Sequence, residues 1–410
     1  MKLRPVLPTI RATTLLPRRS HPALLPFPLN EKRLSLWYLG RNALYAALGV
    51  MDVKPGDTVL VPSYTNGVEV AAIVARGLKV HTVPIKKDFT LDVKALDGAL
   101  ARTGAKVVLA IHYLGFAQPV DRILEVCRKH GAKLIEDCAL SFLAKLPDGR
   151  PVGSVGDVAL FSVYKTLPVP DGAALIINDP SIPDPQPPVE PEIASSISGL
   201  GRLVMQGAKM GGRAGQALAK VLDAARRGAG RAMEAKGVTR TAAGSMKFET
   251  KRLPWGASRF TREILRRLDY EQITFQRRKN FERLREKLGE VETFFKVLPD
   301  GACPLFYPVV VGDKQALMND LAAKGIETVN FWSTWDPATP ADEYPWIKNL
   351  REHVVELPCL QDLAESDMDV IAEAVLESLT RRGELVPKVR RPKQERPPVQ
   401  PAEAVAPPAA

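Results

Sequence analysis

The stretch KLIEDCALSFLAKLPDGRPVGSVGDVALFSVYKTLPVPDGAALII (133–177) decides the reading of this chain. A short apolar run, Ala132–Ile135, ends in the acids Glu136 and Asp137. After a Gly- and Pro-punctuated connection, strands are expected again at Val158–Ser162 and Ala174–Ile177. Just past the first of these lies Phe161-Ser162-Val163-Tyr164-Lys165, which puts a hydroxyl and an amine at a strand end, 25–28 residues after Asp137. Ligands of open α/β sheets bind outside the carboxyl ends of the strands. Asp137, Ser162 and Lys165 are therefore expected along one edge of one sheet.

Upstream, the pattern alternates helical segments with short apolar strands, the mark of βαβ units and a mainly parallel sheet. Helices are expected at Asn42–Met51, Gly67–Arg76, Val93–Thr103 and Val120–His130, with strands at Asp57–Val61, Lys79–Val83 and Lys106–Ile111 between them. Downstream, a proline-rich run after Asp179 passes into a Gly/Ala/Arg-rich segment that lacks the aromatic and β-branched residues of a core. It reads as an insertion, either a partly helical or mobile surface excursion or a basic amphipathic helix around Gln216–Met233 that docks on a membrane face or partner, and its charge and composition lead us to expect that removing 201–245 leaves the core that carries Asp137 and Lys165 intact. Helical periodicity returns at Arg259–Leu288, followed by a strand-rich piece (Leu305–Val311) and helices at Lys314–Lys324 and Glu365–Thr380. The expected organisation is an N-terminal extension (1–30), a large α/β domain (31–250, insertion 181–250), a small α+β domain (251–385) and a disordered Pro/Ala-rich tail (386–410).

The net charge of +11 is peripheral: +5 in 1–30, +8 in 201–251 and +3 in 386–410 leave the rest at 11 − 16 = −5. A core of that sign excludes a nucleic-acid platform. The basic 201–251 segment could still touch an acidic membrane surface or partner. No run approaches the roughly 20 apolar residues of a membrane span. The prolines of the first 30 residues argue against a transit peptide. Cys127, Cys138, Cys303 and Cys359 form no C-x-x-C pair, so neither a disulfide framework nor a metal site is expected, and a reducing cytoplasm fits.

Each candidate side chain has an ordinary explanation when taken alone. A strand-end Asp is commonly a cap, a lysine after a strand is commonly solvated, and many helices begin like Gly40-Arg41-Asn42. Together, and in this order, they describe a site. The start of the first helix can hold a phosphate, a buried Asp can keep a heterocyclic nitrogen protonated, and a desolvated lysine can condense with an aldehyde. His112, at the end of a strand on the same edge, suits either a ligand contact or a structural hydrogen bond. Trp332 and Trp335 suit core packing or a pocket wall. No G-x-G-x-x-G follows the first strand, which argues against a nucleotide-dependent dehydrogenase.

The stretches at 40–65, 110–142, 152–176 and 354–375 resemble the DegT/DnrJ/EryC1/StrS family of aminotransferases that depend on pyridoxal 5'-phosphate (PLP) and commonly aminate nucleotide-linked keto-sugars. The resemblance implies the aspartate-aminotransferase-like fold (PLP fold type I) and a cytoplasmic homodimer with sites at the interface. It implies Lys165 as the lysine that holds the cofactor and shuttles the proton, and Asp137 on the ring nitrogen. Ser162 and the amides of Gly40, Arg41 and Asn42 would hold the phosphate, with Tyr64 near the ring. The implied reaction moves an amino group from glutamate to a keto-sugar or related carbonyl compound, in polysaccharide or secondary-metabolite biosynthesis. The chain departs from the family at Arg41, Leu140, Ala173 and Leu360, and its lysine motif is two residues shorter. These departures suggest a second reading, a degenerate PLP-fold protein with a binding or regulatory role. The sugar dehydratases that resemble this family carry His where Lys165 stands, which argues against dehydration.

Overall fold

A computed structural model describes residues 2–10, 25–211, 215–221, 249–330, 332–333, 335–339 and 344–385. Among them, seven strands form one sheet in the order β1-β7-β6-β5-β4-β2-β3. The strands are β1 (Leu34–Trp37), β2 (Thr58–Pro62), β3 (Lys79–Val83), β4 (Val107–Ile111), β5 (Lys133–Asp137), β6 (Val158–Phe161) and β7 (Ala173–Ile177). The run from β3 to β6 is parallel, whereas β7 is antiparallel to both β6 and β1. Every residue of β4, β6 and β7 is buried, as expected of central strands covered on both faces.

Helices α1 (Gly40–Val50), α2 (Val68–Ala75), α3 (Val93–Thr103) and α4 (Val120–Lys129) connect these strands, and a single turn, α5 (Val163–Thr166), follows β6. The α/β reading of this region holds, with boundaries moved by one or two residues. The strand expected at Ala132–Ile135 runs on to Asp137, because Glu136 and Asp137 still pair with Ala159 and Leu160. Asp157 fixes the β5–β6 register from below: it is buried, and it accepts hydrogen bonds from Leu134 N (2.7 Å) and the Arg128 guanidinium.

The insertion is less peripheral than its composition suggests. Helix α6 (Ile193–Met210) buries Leu203 and Met205, and Gly199 lies against Pro170 so closely that a Cβ would meet it at 2.9 Å. Glycines and alanines here permit close packing rather than mobility. Residues 215–221 are also helical; the rest of the expected amphipathic helix lies outside the described residues, as does the tail from 386. The N-terminal extension also packs. Arg4 bridges Ile326, Lys2 and Arg4 meet Asp367, and Thr9 N donates to Asp362 at 2.7 Å.

The periodic stretch at 259–288 divides into α7 (Arg259–Leu265) and α8 (Tyr270–Lys287), where Asp269 caps the second helix through Gln272 N. Strand β8 (Phe306–Val310) pairs antiparallel with β9 (Val354–Pro358); α9 (Lys314–Ala323), α10 (Pro345–His353) and α11 (Glu365–Arg381) complete this half. Here α8 and α9 pack on α11. Gly115 brings the loop after β4 against Cys303, where any Cβ would sit 2.0 Å from its carbonyl oxygen. Among the described residues no helix is long and apolar enough to cross a membrane.

Candidate active site

Three elements deliver the side chains of one cavity at the carboxyl edge of the sheet. Asp137 ends β5, Ser162 and Lys165 flank the turn after β6, and Gly40 and Arg41 open α1. Gly40 approaches Ser162 so closely that a Cβ would stand 2.7 Å from the Ser162 hydroxyl oxygen. Backbone N–H groups at a helix start beside a hydroxyl form a cradle for an anion, and only glycine leaves it open. The Arg41 side chain lines the same cavity, and burial lowers its proton affinity.

Asp137 is 2% exposed, and its Oδ1 accepts from Ala139 N at 2.8 Å. Burial, and secondarily Glu69, push its carboxyl up to about 7, against the opposing pull of the Ala139 amide and Lys165. An acid in this state can hold or release a proton near neutrality. Glu69 and Asn66 also line the cavity, and the Oε2 of Glu69 is buried without a hydrogen-bond partner among the described residues. Neither was legible in the sequence, because an acid in the first turn of a helix ordinarily serves the helix dipole alone.

Three expected contacts are turned elsewhere. The amide of Asn42 donates to Leu39 O (3.0 Å) and its side chain to Arg252 O (2.5 Å) and Leu253 O (3.2 Å), so it anchors the 252–253 segment instead of an anion. Tyr64 is 1% exposed and absent from the cavity wall; it lies between Tyr113 and Trp332, with ring centroids 6.0 and 5.0 Å away. Asn66, two residues on, is the residue of this loop that reaches the cavity. His112 is fully buried: Nε2 pairs with Glu136 Oε2 at 2.9 Å and Nδ1 accepts from Gln118 N at 3.0 Å. That pairing makes it a neutral imidazole bearing its proton on Nε2.

Glu136 in turn accepts from Gly153 N (2.9 Å), Val155 N (2.8 Å) and Gly156 N (2.5 Å). Burial would raise its carboxyl, but His112 and these amides outweigh it and hold it low. Because alternate residues of a strand face opposite sides, Glu136 braces the sheet beneath the site while Asp137 faces the cavity. Ligand atoms of His112, Glu136 and Cys138 gather within 4.8 Å, yet both imidazole nitrogens and both Glu136 oxygens are already engaged, so the group is structural.

The other half of the chain closes over this edge. Trp332 is buried against Tyr64 and Tyr113, whereas Trp335 is 49% exposed. The Arg351 guanidinium sits 5.1 Å from the Tyr64 ring centroid and donates to Thr65 O (3.1 Å) and Trp332 O. Gly67 (φ +87°) passes under Asp336, whose backbone nitrogen lies 3.0 Å from where a Cβ would be. On β9, Glu356 is fully buried with neither carboxyl oxygen hydrogen-bonded among the described residues; burial holds its carboxyl well above the usual range, opposed by Lys165 and Lys314.

The donor set suits PLP. An anion cradle, a primary amine and a buried carboxyl line one cavity, and the cradle is of the kind a side chain would fill.

Residues 39–185 match the DegT/DnrJ/EryC1/StrS aminotransferase family. A UDP-N-acetyl-3-dehydro-alpha-D-glucosamine 3-aminotransferase of Acidithiobacillus ferrooxidans is 32% identical over 127 residues, 30% of this chain and 34% of that protein. The chain spans about a third of the length of the curated relatives it matches. A DegT DnrJ EryC1 StrS aminotransferase from Brucella abortus has a similar structure (TM-score 0.58, 21% identity, 84% of this chain and 85% of that one). So does a sugar aminotransferase, Spr1654, from Streptococcus pneumoniae in its PLP form (TM-score 0.58, 16% identity, 85% and 87%). These likenesses extend the fold across both halves of the chain.

Proposed function

We propose that the chain, whose residues 39–185 match the DegT/DnrJ/EryC1/StrS aminotransferase family, is a PLP-dependent aminotransferase that moves an amino group from glutamate to a keto-sugar or related carbonyl compound. The observation that carries this reading is the convergence of Lys165, Asp137, Ser162 and Gly40 on one cavity. When bound, PLP supplies an electron sink for the carbon that loses its proton.

This chain's residues do the rest. Ser162 and the α1 N-terminus hold the phosphate, with Arg41 adding a positive charge to the same wall. Asp137 keeps the proton on the ring nitrogen. The neutral amine of Lys165 binds the cofactor, and its Nζ takes the proton from the substrate carbon and returns it on the other side of the exchange. The acceptor is proposed to be nucleotide-linked, as the names of the curated relatives suggest. A homodimer in the cytoplasm belongs to the same proposal, and four buried, unpaired cysteines fit a reducing compartment.

Borohydride reduction of PLP-treated protein, followed by peptide mass spectrometry, tests the assignment. The pyridoxyl group should appear on Lys165 and vanish in Lys165→Ala. Labelling of another lysine, or a protein that stays colourless with added PLP, sinks it and favours the degenerate reading.

A further inference from the structure

Two carboxylates face the cavity, and the mechanism above employs one. Glu69 stands in the first turn of α2, on the same wall as Arg41, Asp137 and Lys165, and its Oε2 is buried with no hydrogen-bond partner among the described residues. Two acids on one cavity wall oppose each other's ionisation. Their surroundings decide which keeps its proton. Glu69 lies among the first N–H groups of α2, where a helix favours a carboxylate. Asp137, at the end of a strand, accepts one side-chain hydrogen bond among the described residues, from Ala139 N. The proton therefore settles on Asp137, in agreement with a carboxyl pushed up to about 7 by burial first and by Glu69 second.

The other groups around Asp137 do not substitute for Glu69. Tyr113, after β4, and Cys138, next in sequence, are both held well above their ordinary range by burial, so both are neutral near pH 7. Glu136 is engaged on the opposite face of β5. Lys165 and Arg41, on the same wall, carry no negative charge in any protonation state. Glu69 is the remaining acid on the cavity wall with Asp137.

We propose that Glu69 is a positioning residue that acts through Asp137: its charge raises the proton affinity of the Asp137 carboxyl and, with PLP in place, of the ring nitrogen that Asp137 holds. The second half rests on the PLP reading; the first does not. The effect would keep the ring nitrogen protonated at a higher pH than Asp137 alone, without Glu69 touching the reacting carbon.

Cofactor-free protein carrying 13C at the aspartate γ-carboxyls, with the Asp137 signal assigned by its loss in Asp137→Asn, reads the first half directly. The wild-type signal should titrate near 7. In Glu69→Gln the midpoint should fall by about one unit or more, the size of shift a facing like charge produces. Glu69→Asp, which keeps the charge, should shift less, and it stands in if the glutamine variant does not fold. With PLP labelled at the ring nitrogen by 15N, that nitrogen should lose its proton at lower pH in Glu69→Gln than in wild type. An unchanged Asp137 midpoint in folded Glu69→Gln overturns the proposal. A shifted midpoint in protein that cannot bind PLP supports the Glu69–Asp137 coupling and sinks the cofactor reading instead.

Discussion

Replacing Glu356 with glutamine should make the protein more stable, and increasingly so as pH rises. Glu356 occupies the middle of β9, paired with Pro308 on one side and hydrogen-bonded through its backbone to Val329 on the other, and it is fully buried. An unfolded glutamate titrates at about 4.3. In the folded protein burial holds the proton to much higher pH, with Lys165 and Lys314 opposing but not prevailing. With the folded value above the unfolded one, the carboxyl carries no ionisation penalty below the unfolded pKa. Stability is then lost as pH climbs from the unfolded toward the folded value. One proton is released on unfolding in that window, so the loss runs at about 1.4 kcal/mol per pH unit. Glutamine has no proton to lose. Its amide, unpartnered in the same place, costs a constant amount. The difference between Glu356→Gln and wild type should therefore have a slope even if its value at any one pH is offset. Urea unfolding at about pH 5.5, 6.5 and 7.5, followed by tryptophan fluorescence, gives that slope. A difference that stays flat across this range refutes the buried, unpaired carboxyl.

Two further substitutions test the closure over the cavity and the packing of the insertion. Gly67→Ala forces a side chain into φ +87° and to 3.0 Å from Asp336 N; a loss of about 2 kcal/mol, read by thermal unfolding, together with weaker PLP binding, is the expected outcome. Unchanged affinity would mean that the loop bearing Asn66 and Glu69 is positioned without that contact. Deleting 201–245 removes the buried Leu203 and Met205 of α6, so the melting temperature should fall clearly, each lost core side chain being worth about 2–5 kcal/mol. Equal melting of the deleted and full-length proteins would return the segment to the status of a passive excursion.

The parallel part of the sheet was legible because βα units carry two periodicities at once, and Gly56, Gly77, Gly104 and Gly131 mark their ends. The edge strand β1 was not: LSLW is four residues long, half-exposed, and defined by antiparallel pairing with β7, 138 residues away at Leu36–Ala174. The bounds and packing of helix α6 were not legible, because glycine and alanine signal looseness in composition but close approach in packing. Among the candidate residues, those fixed by a strand end or a helix start, namely Gly40, Arg41, Asp137, Ser162 and Lys165, fall in one cavity. Asn42, Tyr64 and His112 sit at equally suggestive places in the chain, but which way their side chains turn depends on partners distant in sequence: Arg252, Trp332 and Glu136. Glu69 could be found only once β5 and α2 were placed side by side.

The N-terminal segment carries a consequence for how this chain is made. Lys2 donates to Asp367 across 365 residues, and Thr9 to Asp362 across 353. At ribosomal speeds of about 5–20 residues per second, Lys2 and Thr9 wait roughly 20–70 s after their own synthesis before these two partners exist. The large α/β half can assemble in that interval, and Thr9 can meet Met210 of α6, and Arg4 Ile326, before the last helix exists. The ties to Asp362 and Asp367 close last, and a chain stalled shortly before Asp362 would hold residues 2–10 by these earlier contacts alone.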